Sequence, residues 1–365
     1  MIRRKFISTR LLTPGMVIDQ SIIDSTNRVL VHRKTPLDEY MIASLKKLGI
    51  GGVYIREGEE DETEDNIETS PEVAEKIEKI KVADKAKIKL SESVKARVSE
   101  GIQYLYSNPN SEGFTSAANS ISNDLMKAIS ENDAIAVDIS TLKVSDEYTF
   151  KHSVDVASMS MIIAKKQGMD QKQVYQIGIS GLLHDLGKSE IPNEVLNKPG
   201  KLTDEEFTIM KNHPLFGYNI LKDKADIAPE VKMGVLQHHE KTNGRGYPLG
   251  LDNQRIHLYA RILSVADIYD ALVTERPYKN AFSPRDAVEM IMAMTGELDF
   301  GMIQSFLDSV ILYPVDSVVS LSTGERAKVV QNNPGYPMRP KVVALKTGKV
   351  YDLANDFSCA SIIVE

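Results

Sequence analysis

Histidines and aspartates with apolar neighbours are the side chains of this sequence best suited to chemistry. Six of the seven histidines lie between residues 113 and 312, at His152, His184, His213, His238, His239 and His257. Asp185 directly follows His184 in "LLHDLGK", and Asp267 lies in "ILSVADIYDAL". A single buried histidine is usually a core residue with hydrogen-bonded nitrogens, but six in one domain, with adjacent His-Asp and His-His pairs, are hard to satisfy one by one. Grouping around cations would satisfy them together.

The types of these side chains indicate which metals they could bind. Neutral imidazoles and carboxylates without thiolates suit iron, manganese, nickel or zinc, and they disfavour an all-oxygen calcium site. The single cysteine, Cys359, can form neither an intramolecular disulfide nor a metal site alone. It is predicted to be a small buried apolar residue.

The adjacency of His184 and Asp185 favours a pair of metal ions. Neighbouring residues of a helix point about 100° apart, so these side chains could bind one cation and its neighbour, with the carboxylate bridging them. Two metal ions a few Å apart hold phosphoryl oxygens and lower the pKa of a shared water, so that hydroxide forms near neutral pH. The residues therefore predict a hydrolase that acts on a phosphoryl group.

Length and charge limit what the rest of the chain does. A chain of 365 residues allows two or three domains, and a net charge of −7 gives no bulk electrostatic reason to bind a nucleic-acid polymer or an anionic membrane. No apolar run approaches the roughly 18 residues that span a bilayer. The start, "MIRRKFISTR", has no apolar core behind its positive charges. The sequence therefore predicts a cytoplasmic protein without a membrane span.

Composition divides the chain into segments that must position these residues. Residues 1–57 predict a small α+β module, and the acidic, aromatic-free residues 58–70 predict a solvated linker. Residues 71–112 carry apolar side chains at helical spacing and predict a long helical connector. Residues 113–312 are helical nearly throughout, whereas residues 313–365 alternate β-branched residues with Gly, Pro and Asn, which predicts a small β appendage. The fold class is multidomain and mainly α.

The apolar stripe of the connector, residues 71–112, has two interpretations. It could seat a second copy of the chain in a homodimer, or it could pack against the next domain, and the second is favoured. The position of residues 1–57 at the other end of the connector suggests a docking or input site for a protein partner. The C-terminal appendage carries neither a metal-ligand set nor an aromatic and basic nucleic-acid face.

Residues from about 145 to 310 resemble an HD-GYP domain, a subgroup of the HD metal-dependent phosphohydrolases. The resemblance rests on motifs in order along the chain: "HSVDVAS" at 152–158, "HDLGK" at 184–188, "HPLFGYNIL" at 213–221, "HHEKTNGRGYPLGL" at 238–251 and "ARILSVADIYDALVTERPYK" at 260–279. Gly246-Tyr247-Pro248 is the tripeptide that names the subgroup. The resemblance implies a central all-helical domain and a phosphodiesterase for bacterial cyclic di-GMP that yields pGpG and, in many members, GMP.

The resemblance also implies a set of metal ligands. The matching positions are His152, His184, Asp185, His213, His238, His239 and Asp267. Asp185 takes the bridging position between two divalent ions, for which iron or manganese is favoured. His257 matches no ligand position and is interpreted as structural or exposed, and His32 as a surface or strand residue.

Other positions match residues that contact substrate in the family. Lys188 matches the lysine that contacts the scissile phosphate in the family. An ammonium beside two cations requires a nearby anion, which the phosphate would supply. The alternative interpretation is that Lys188 is an ordinary surface lysine. Arg276 and Lys279, in "TERPYKNA", match positions that reach substrate phosphates.

The glycine-rich loop and the end of the Asp267 helix complete the predicted site. In the family the Gly246-Tyr247-Pro248 loop borders the site, so Tyr247 could pack against the rim or a base. Asp270, one turn beyond Asp267, could hydrogen-bond a ligand histidine or orient the rim. Glu240 is expected to orient, or to be oriented by, the neighbouring histidines.

This sequence departs from the fullest family pattern at Tyr148. Some members place a glutamate there and hold a third metal ion, and the adjacent Glu147 is rotated about 100° from the ligand face. Two metal ions are therefore expected, and pGpG is the hypothetical main product if fewer metals reduce the second cleavage. Asn243, where aspartate is common, preserves the turn chemistry.

The mechanism that follows is attack of a bridging hydroxide on one phosphate of cyclic di-GMP, with Lys188 stabilising the developing charge. The alternatives are a metal-dependent hydrolase of another cyclic dinucleotide or nucleotide, and a cyclic di-GMP sensor with little turnover. Competition between different cyclic dinucleotides would distinguish the first alternative from hydrolysis of cyclic di-GMP. Tight binding of cyclic di-GMP with slow turnover would favour the second.

Overall fold

The computed structural model describes residues 3–18, 22–23, 29–31, 35–48, 50, 52–57, 69–84, 92–130, 137–138, 148–198, 200–274 and 281–365. The chain forms two compact units, Met1–Thr69 and Ser70–Glu365. Within these described ranges, no helix combines the length and apolar character needed to cross a lipid bilayer.

The unit Met1–Thr69 is a small α+β fold. Its elements are β1 (Arg3–Ser8), β2 (Val17–Ile18), β3 (Ile22–Ile23), β4 (Val29–Val31), α1 (Glu39–Lys47) and β5 (Gly52–Glu57). Strands β1, β5 and β2 form an antiparallel sheet in that order, and β3 pairs with β4. The Asp38 carboxylate accepts a hydrogen bond from the Met41 amide at 2.6 Å, so it caps the first turn of α1. Ile18, Leu45 and Ile55 are buried in the core of this unit.

The second unit is built mainly from helices. They are α2 (Pro71–Ile80), α3 (Glu92–Ser107), α4 (Phe114–Ser130), α5 (Tyr148–Lys166), α6 (Gln171–Leu183), α7 (Asn193–Leu196), α8 (Asp204–Met210), α9 (His213–Leu221), α10 (Pro229–Gln237), α11 (Leu258–Val273), α12 (Pro284–Ala293) and α13 (Phe300–Leu307). A 3₁₀ helix, Leu186–Glu190, follows α6. Most of these elements share one hydrophobic core, in which α5, α6 and α11 are the central helices, whereas α2, α7 and α8 contribute no residue to it.

Local sequence signals explain where the central helices begin and end. The turn after α5 contains Gly168 in the left-handed region, at φ 76°, where glycine carries no steric penalty. Asp170 and Gln173 then form a capping box that starts α6. Residues 177–183 of α6 are all buried, so this helix end passes through the interior.

A small sheet lies at the C-terminal end of the chain. Its strands are β8 (Val318–Ser320), β9 (Arg326–Gln331), β10 (Lys341–Ala344) and β11 (Val350–Asp352), antiparallel in the order β11-β10-β9-β8. The expected β appendage is therefore present, and Cys359 is buried in its core as predicted.

The sequence predicts helices nearly throughout residues 113–312, but this segment also contains two short strands. The short strands β6 (Val137–Asp138) and β7 (Val310–Ile311) pair in parallel within this segment. β-Branched side chains favour the extended conformation, and Val310 and Ile311 are buried after the end of α13. Two-residue strands 173 positions apart leave no periodic pattern that a sequence would show.

The predicted long connector helix is also interrupted. Residues 81–84, between α2 and α3, are not helical, and some of them hydrogen-bond to the C-terminal appendage. The Val82 amide donates to Val330 O at 2.8 Å, and the Asp84 carboxylate accepts from Asn332 Nδ2 at 2.7 Å and from the Val315 amide at 2.8 Å. The predicted connector is therefore two helices, each packed on a different part of this unit.

The apolar stripe of the connector packs within the chain. Val98, Ile102 and Leu105 of α3 are buried in the core of the central helices. Val73 of α2 is buried beside Gly348 of the appendage. This arrangement agrees with the interpretation favoured from the sequence, in which the apolar stripe packs against another part of the same chain.

Candidate metal centre

The seven predicted metal ligands come from separate elements and lie together in the structure. His152 is in the second turn of α5, and His184 and Asp185 follow directly on the end of α6. His213 begins α9, His238 and His239 follow α10, and Asp267 is in α11. All are buried except His239, which is partly exposed.

One group of ligand atoms is formed by His152, His184 and Asp185. Their nearest nitrogen and oxygen atoms lie within 4.8 Å of one another. The Nε2 atoms of His152 and His184 are 3.2 Å apart, and His152 Nε2 is 3.7 Å from Asp185 Oδ2. Asp267 Oδ1 lies 3.2 Å from the same His152 nitrogen. This group offers two imidazole nitrogens and oxygens from two carboxylates.

A second group is formed by His213, His238 and His239, whose ligand atoms also lie within 4.8 Å of one another. His213 Nε2 and His238 Nε2 are 3.2 Å apart. His239 presents Nδ1 instead, at 3.7 Å from Asp267 Oδ2. Within the described ranges, these two groups are the ones whose geometry suits a metal ion.

Asp185 lies between the two groups. Its Oδ2 is 3.5 Å from His184 Nε2 in the first group, and its Oδ1 is 3.3 Å from His213 Nε2 in the second. Asp267 also divides its oxygens, with Oδ1 towards His152 and Oδ2 towards His239. The Asp185 carboxylate is thus positioned so that each oxygen faces a different group.

Hydrogen bonds to main-chain carbonyls set the tautomers of three histidines. The Nδ1 atoms of His184, His213 and His238 donate to Gly181 O, Met210 O and Val235 O at 2.7, 2.9 and 2.8 Å. Because a carbonyl can only accept, each Nδ1 carries the proton and each neutral ring presents a bare Nε2. Second partners of this kind commonly orient metal-binding histidines.

The facing Nε2 atoms fit a metal centre better than a metal-free core. His213 and His238 present lone pairs to one another at 3.2 Å, where no proton lies between them in the neutral rings. Such buried lone pairs are unfavourable unless a cation lies near both. The donor set, imidazole nitrogens with carboxylate oxygens, suits transition metals.

Burial keeps most of these histidines in the neutral form that binds metals. It lowers the pKa of His184 and of His238, lowers that of His213 to about 4 and lowers that of His239 to about 3. The charged imidazolium is disfavoured because it loses hydration in the interior. These rings are therefore available as ligands at neutral pH.

Charged neighbours as well as burial determine the pKa values of His152 and Asp185. Burial opposes the charged form of His152, but hydrogen bonds to Asp267 and Asp270 raise its pKa to about 10. Burial also disfavours ionised Asp185, yet Lys188 and the adjacent histidines hold the pKa of Asp185 well below its usual range. Negative charge is thus concentrated where a cation would be bound.

Lys188 is placed beside the Asp185 carboxylate. Its Nζ lies 2.5 Å from Asp185 Oδ2, within the 3₁₀ helix that follows α6. The side chain is 30% exposed, so the ammonium is at the mouth of the centre rather than inside it. Gly187 allows this helix to pack closely on α9, because a Cβ at that position would overlap the backbone of His213 and Gly217.

Glu240 holds the glycine-rich loop against the metal centre. The buried carboxylate accepts hydrogen bonds from the amides of Leu249 and Leu251 at 2.7 and 2.8 Å. Gly246 is required because a Cβ there would overlap the backbone of Glu240. Glu240 therefore anchors the loop that follows the histidines, and its expected role in orienting the histidines stays a prediction.

Tyr247 lies directly against the ligand set. The Tyr247 amide donates to His239 O at 3.1 Å, and the Tyr247 ring centroid is 4.6 Å from that of His239. Burial raises the pKa of the Tyr247 hydroxyl above its usual value, so the ring is neutral at physiological pH.

Asp270 contacts a predicted ligand. Its Oδ2 lies 2.6 Å from His152 Nδ1, and its Oδ1 accepts a hydrogen bond from Thr274 Oγ1 at 3.2 Å. This geometry matches one of the two roles considered for Asp270, the orientation of a ligand histidine. A contact between Asp270 and substrate stays a prediction.

Tyr106 supports the centre from α3 and was not identified in the sequence. Its hydroxyl donates to Leu182 O at 3.2 Å and lies 3.1 Å from Ser153 Oγ. These partners adjoin residues of the ligand set on α5 and α6. A tyrosine within an amphipathic helix carries no signal that would distinguish it from a core residue.

Several predicted residues lie outside the part of the chain that the structure describes. They are Arg276, Lys279, Glu147, His32 and the side chain of Tyr148. His257 is described, and it caps the start of α11 rather than joining the ligand set.

Residues 137–302 match the family model described as an HD domain. This segment is an HD-GYP domain. The chain is 34% identical over 228 residues to the cyclic di-GMP phosphodiesterase PA4108 of Pseudomonas aeruginosa, an alignment that covers 62% of this chain and 55% of that protein. It is 42% identical over 138 residues to the cyclic di-GMP phosphodiesterase response regulator RpfG of Xanthomonas campestris pv. campestris, covering 38% of this chain and 36% of that protein.

The HD-GYP domain is also similar to a protein named for a different cyclic dinucleotide. The chain is 31% identical over 188 residues to the 3'3'-cGAMP-specific phosphodiesterase 1 of Vibrio cholerae, covering 49% of this chain and 41% of that protein. The chain thus spans about half or less of the length of these curated relatives.

Proposed function

We propose that this protein is a metal-dependent phosphodiesterase that hydrolyses cyclic di-GMP to linear pGpG. The observation that carries the proposal is the Asp185 carboxylate, whose two oxygens face two separate histidine groups. The similarity to proteins named cyclic di-GMP phosphodiesterases supports the choice of substrate.

Two divalent metal ions are proposed, with iron or manganese favoured. His152 and His184 would hold one ion, His213, His238 and His239 would hold the other, and Asp185 would contact both. Asp267 faces both groups and completes the set. Bound there, the ions would polarise phosphoryl oxygens and make hydroxide available near neutral pH.

The chain's own residues bind and orient the substrate in this proposal. Lys188 places an ammonium at the mouth of the centre, where it stabilises negative charge that develops on the phosphate. The loop of Gly246, Tyr247 and Pro248, which Glu240 anchors, is proposed to border the substrate. Asp270 holds the His152 ring and is proposed to contact the substrate as well.

Arg276 and Lys279 are proposed to bind the second phosphate of the cyclic dinucleotide. Guanidinium and ammonium groups suit that task because they donate hydrogen bonds to phosphate oxygens. Accumulation of pGpG is expected if the two-ion centre favours the first cleavage, and chromatography that shows GMP as the early dominant product would contradict it.

A second candidate substrate is another cyclic dinucleotide. It is favoured by the 31% identity to a protein named as specific for 3'3'-cGAMP. Competition between cyclic di-GMP and 3'3'-cGAMP for hydrolysis by the same preparation distinguishes the two substrates.

The decisive experiment is hydrolysis of cyclic di-GMP by the full chain purified without chelator, with metal content counted on the same sample. We expect turnover at about two metal ions per chain, and we expect Asp185→Ala to abolish turnover and to lower the metal content. Asp124→Ala is the matched control, because Asp124 pairs with Arg97 away from the ligand set.

Full metal content without turnover of either dinucleotide, even after reduction or addition of manganese, would contradict the enzymatic proposal. Tight binding of cyclic di-GMP in that case would favour a sensor. A homodimer through the connector and a protein partner at residues 1–57 stay predictions.

A further inference from the structure

Phe207 exposes an aromatic ring beside the metal centre. It lies in α8, a helix in which no residue is buried, and the side chain is 47% exposed. Thr203 and Glu206 cap this helix through a capping box, and Lys198 pairs with Glu206. The helix is therefore stabilised at its start without burying Phe207, so the ring has no role in the hydrophobic core.

A row of rings connects Phe207 to the predicted ligands. The ring centroids of His239 and Tyr247 are 4.6 Å apart, and those of Tyr247 and Phe207 are 6.4 Å apart. Tyr247 also lies 6.4 Å from the ring of His213. Phe207 is thus one ring beyond Tyr247 in this row.

The rings of Phe207 and Tyr247 form a corner, and the Lys211 ammonium lies near Phe207. The planes of Phe207 and Tyr247 meet at 79°. Lys211 Nζ lies 5.3 Å from the centroid of Phe207. A planar aromatic ligand that stacks on one ring of such a corner meets the other edge to face, which are the two favourable arrangements of aromatic pairs.

We propose that Phe207, together with Tyr247, forms a subsite for a purine base of the substrate. The inference rests on the proposed function, because it requires a phosphate of the same nucleotide at the metal centre. A nucleobase is separated from its phosphate by one sugar, which matches the single ring between the ligand histidines and Phe207. Base stacking on exposed aromatic side chains is a common source of nucleotide affinity.

Lys211 lies over one face of the Phe207 ring, with Nζ 5.3 Å from the centroid. A base that stacks on Phe207 therefore uses the opposite face of the ring. The subsite supplies a stacking surface, and every base has a face that can stack there.

The test compares steady-state hydrolysis of cyclic di-GMP by the metal-loaded full chain and its variants. Phe207→Ala is expected to raise KM between about 5-fold and about 100-fold, the range found when a stacking side chain is truncated, at unchanged metal content. Phe207→Tyr keeps the stacking face and is expected to restore KM. Phe300→Ala is the matched control, because Phe300 is an exposed phenylalanine of α13, at 66% exposure, and is expected to leave KM unchanged.

A second measurement does not depend on turnover. Calorimetric titration of the same metal-loaded proteins with inorganic phosphate and with GMP separates the phosphate contact from the base contact. We expect Phe207→Ala to weaken the binding of GMP by a similar factor while the affinity for inorganic phosphate is unchanged.

Three outcomes are informative. Unchanged KM and unchanged GMP affinity in Phe207→Ala would overturn the subsite while leaving the proposed function intact. Equal losses of phosphate and GMP affinity would also overturn it, because Phe207 would then act only by supporting Tyr247 and the ligands. Selective loss of GMP affinity in a protein that does not hydrolyse cyclic di-GMP would uphold the base subsite and refute the proposed substrate.

Discussion

At the level of single residues, the orientation of four histidines of the predicted ligand set depends on the hydrogen-bond partner of their Nδ1 atoms. His184, His213 and His238 use main-chain carbonyls three residues earlier, so their orientation follows from the local chain. His152 differs, because its Nδ1 meets the carboxylate of Asp270, 118 residues later. A charged partner strengthens the imidazole as a ligand more than a neutral carbonyl does.

Asp270→Asn should therefore weaken metal binding while preserving the size of the side chain. We expect metal affinity to fall about 10- to 100-fold, the usual effect of losing such a partner. Titration with a competing chelator measures it. Asp286→Asn, at an exposed position in the first turn of α12, is the control. Equal affinities in the wild type and Asp270→Asn would show that the carboxylate does not tune His152.

At the level of elements, α11 carries Asp267 and Asp270, and its start depends on His257. The Nδ1 atom of His257 accepts a hydrogen bond from the Tyr259 amide at 3.2 Å, which only an unprotonated Nδ1 can do. Burial lowers the pKa of His257; nearby Glu230 acts to raise it and Arg261 acts to lower it. The cap thus contributes stability above the unfolded-state pKa of about 6.5, and loses it as the pH falls through the lowered folded-state pKa.

His257→Asn should remove this pH dependence, because asparagine caps helices in one protonation state. We expect the wild type to lose up to about 1 kcal/mol of unfolding free energy relative to the variant between about pH 7.5 and about pH 5. Urea denaturation of both chelator-treated proteins at the two pH values measures the difference, so that loss of metal is common to both. Parallel pH dependences would rule out His257 as a titrating cap.

At the level of the whole molecule, all described residues of the predicted centre belong to the unit Ser70–Glu365. The C-terminal appendage belongs to that unit as well, since Val82 and Asp84 hydrogen-bond to it and Lys76 Nζ donates to Gly348 O at 2.7 Å. Helix α3 then brings Tyr106 to the ends of the helices that carry His152 and His184. The connector is therefore part of the structure that supports the centre.

A protein comprising residues 70–365 should fold and bind metal without the N-terminal module. We expect the same number of metal ions per chain as in the full protein and an unchanged rate of hydrolysis under saturating substrate. Metal analysis and circular dichroism on both proteins check this. Loss of cooperative unfolding or of metal in residues 70–365 would show that residues 1–69 stabilise the second unit.

The sequence by itself determined the features that depend on local patterns. Apolar periodicity, the turn at Gly168 and the capping box of Asp170 and Gln173 indicate helices that the structure contains. The seven predicted ligands could be named because each lies in a short motif that resembles one of the HD-GYP family. The β appendage was likewise predicted, since β-branched residues alternate with turn residues over its whole length.

Only the tertiary structure decided the contacts between distant segments. Asp270 was assigned two alternative roles from its spacing, and its contact with His152 required α5 and α11 to pack side by side. The corner of Phe207 and Tyr247, the support from Tyr106 and the break between α2 and α3 have the same origin. Periodicity reports which face of an element is buried, but the partner of that face is chosen by packing, for which a single sequence carries no local signal.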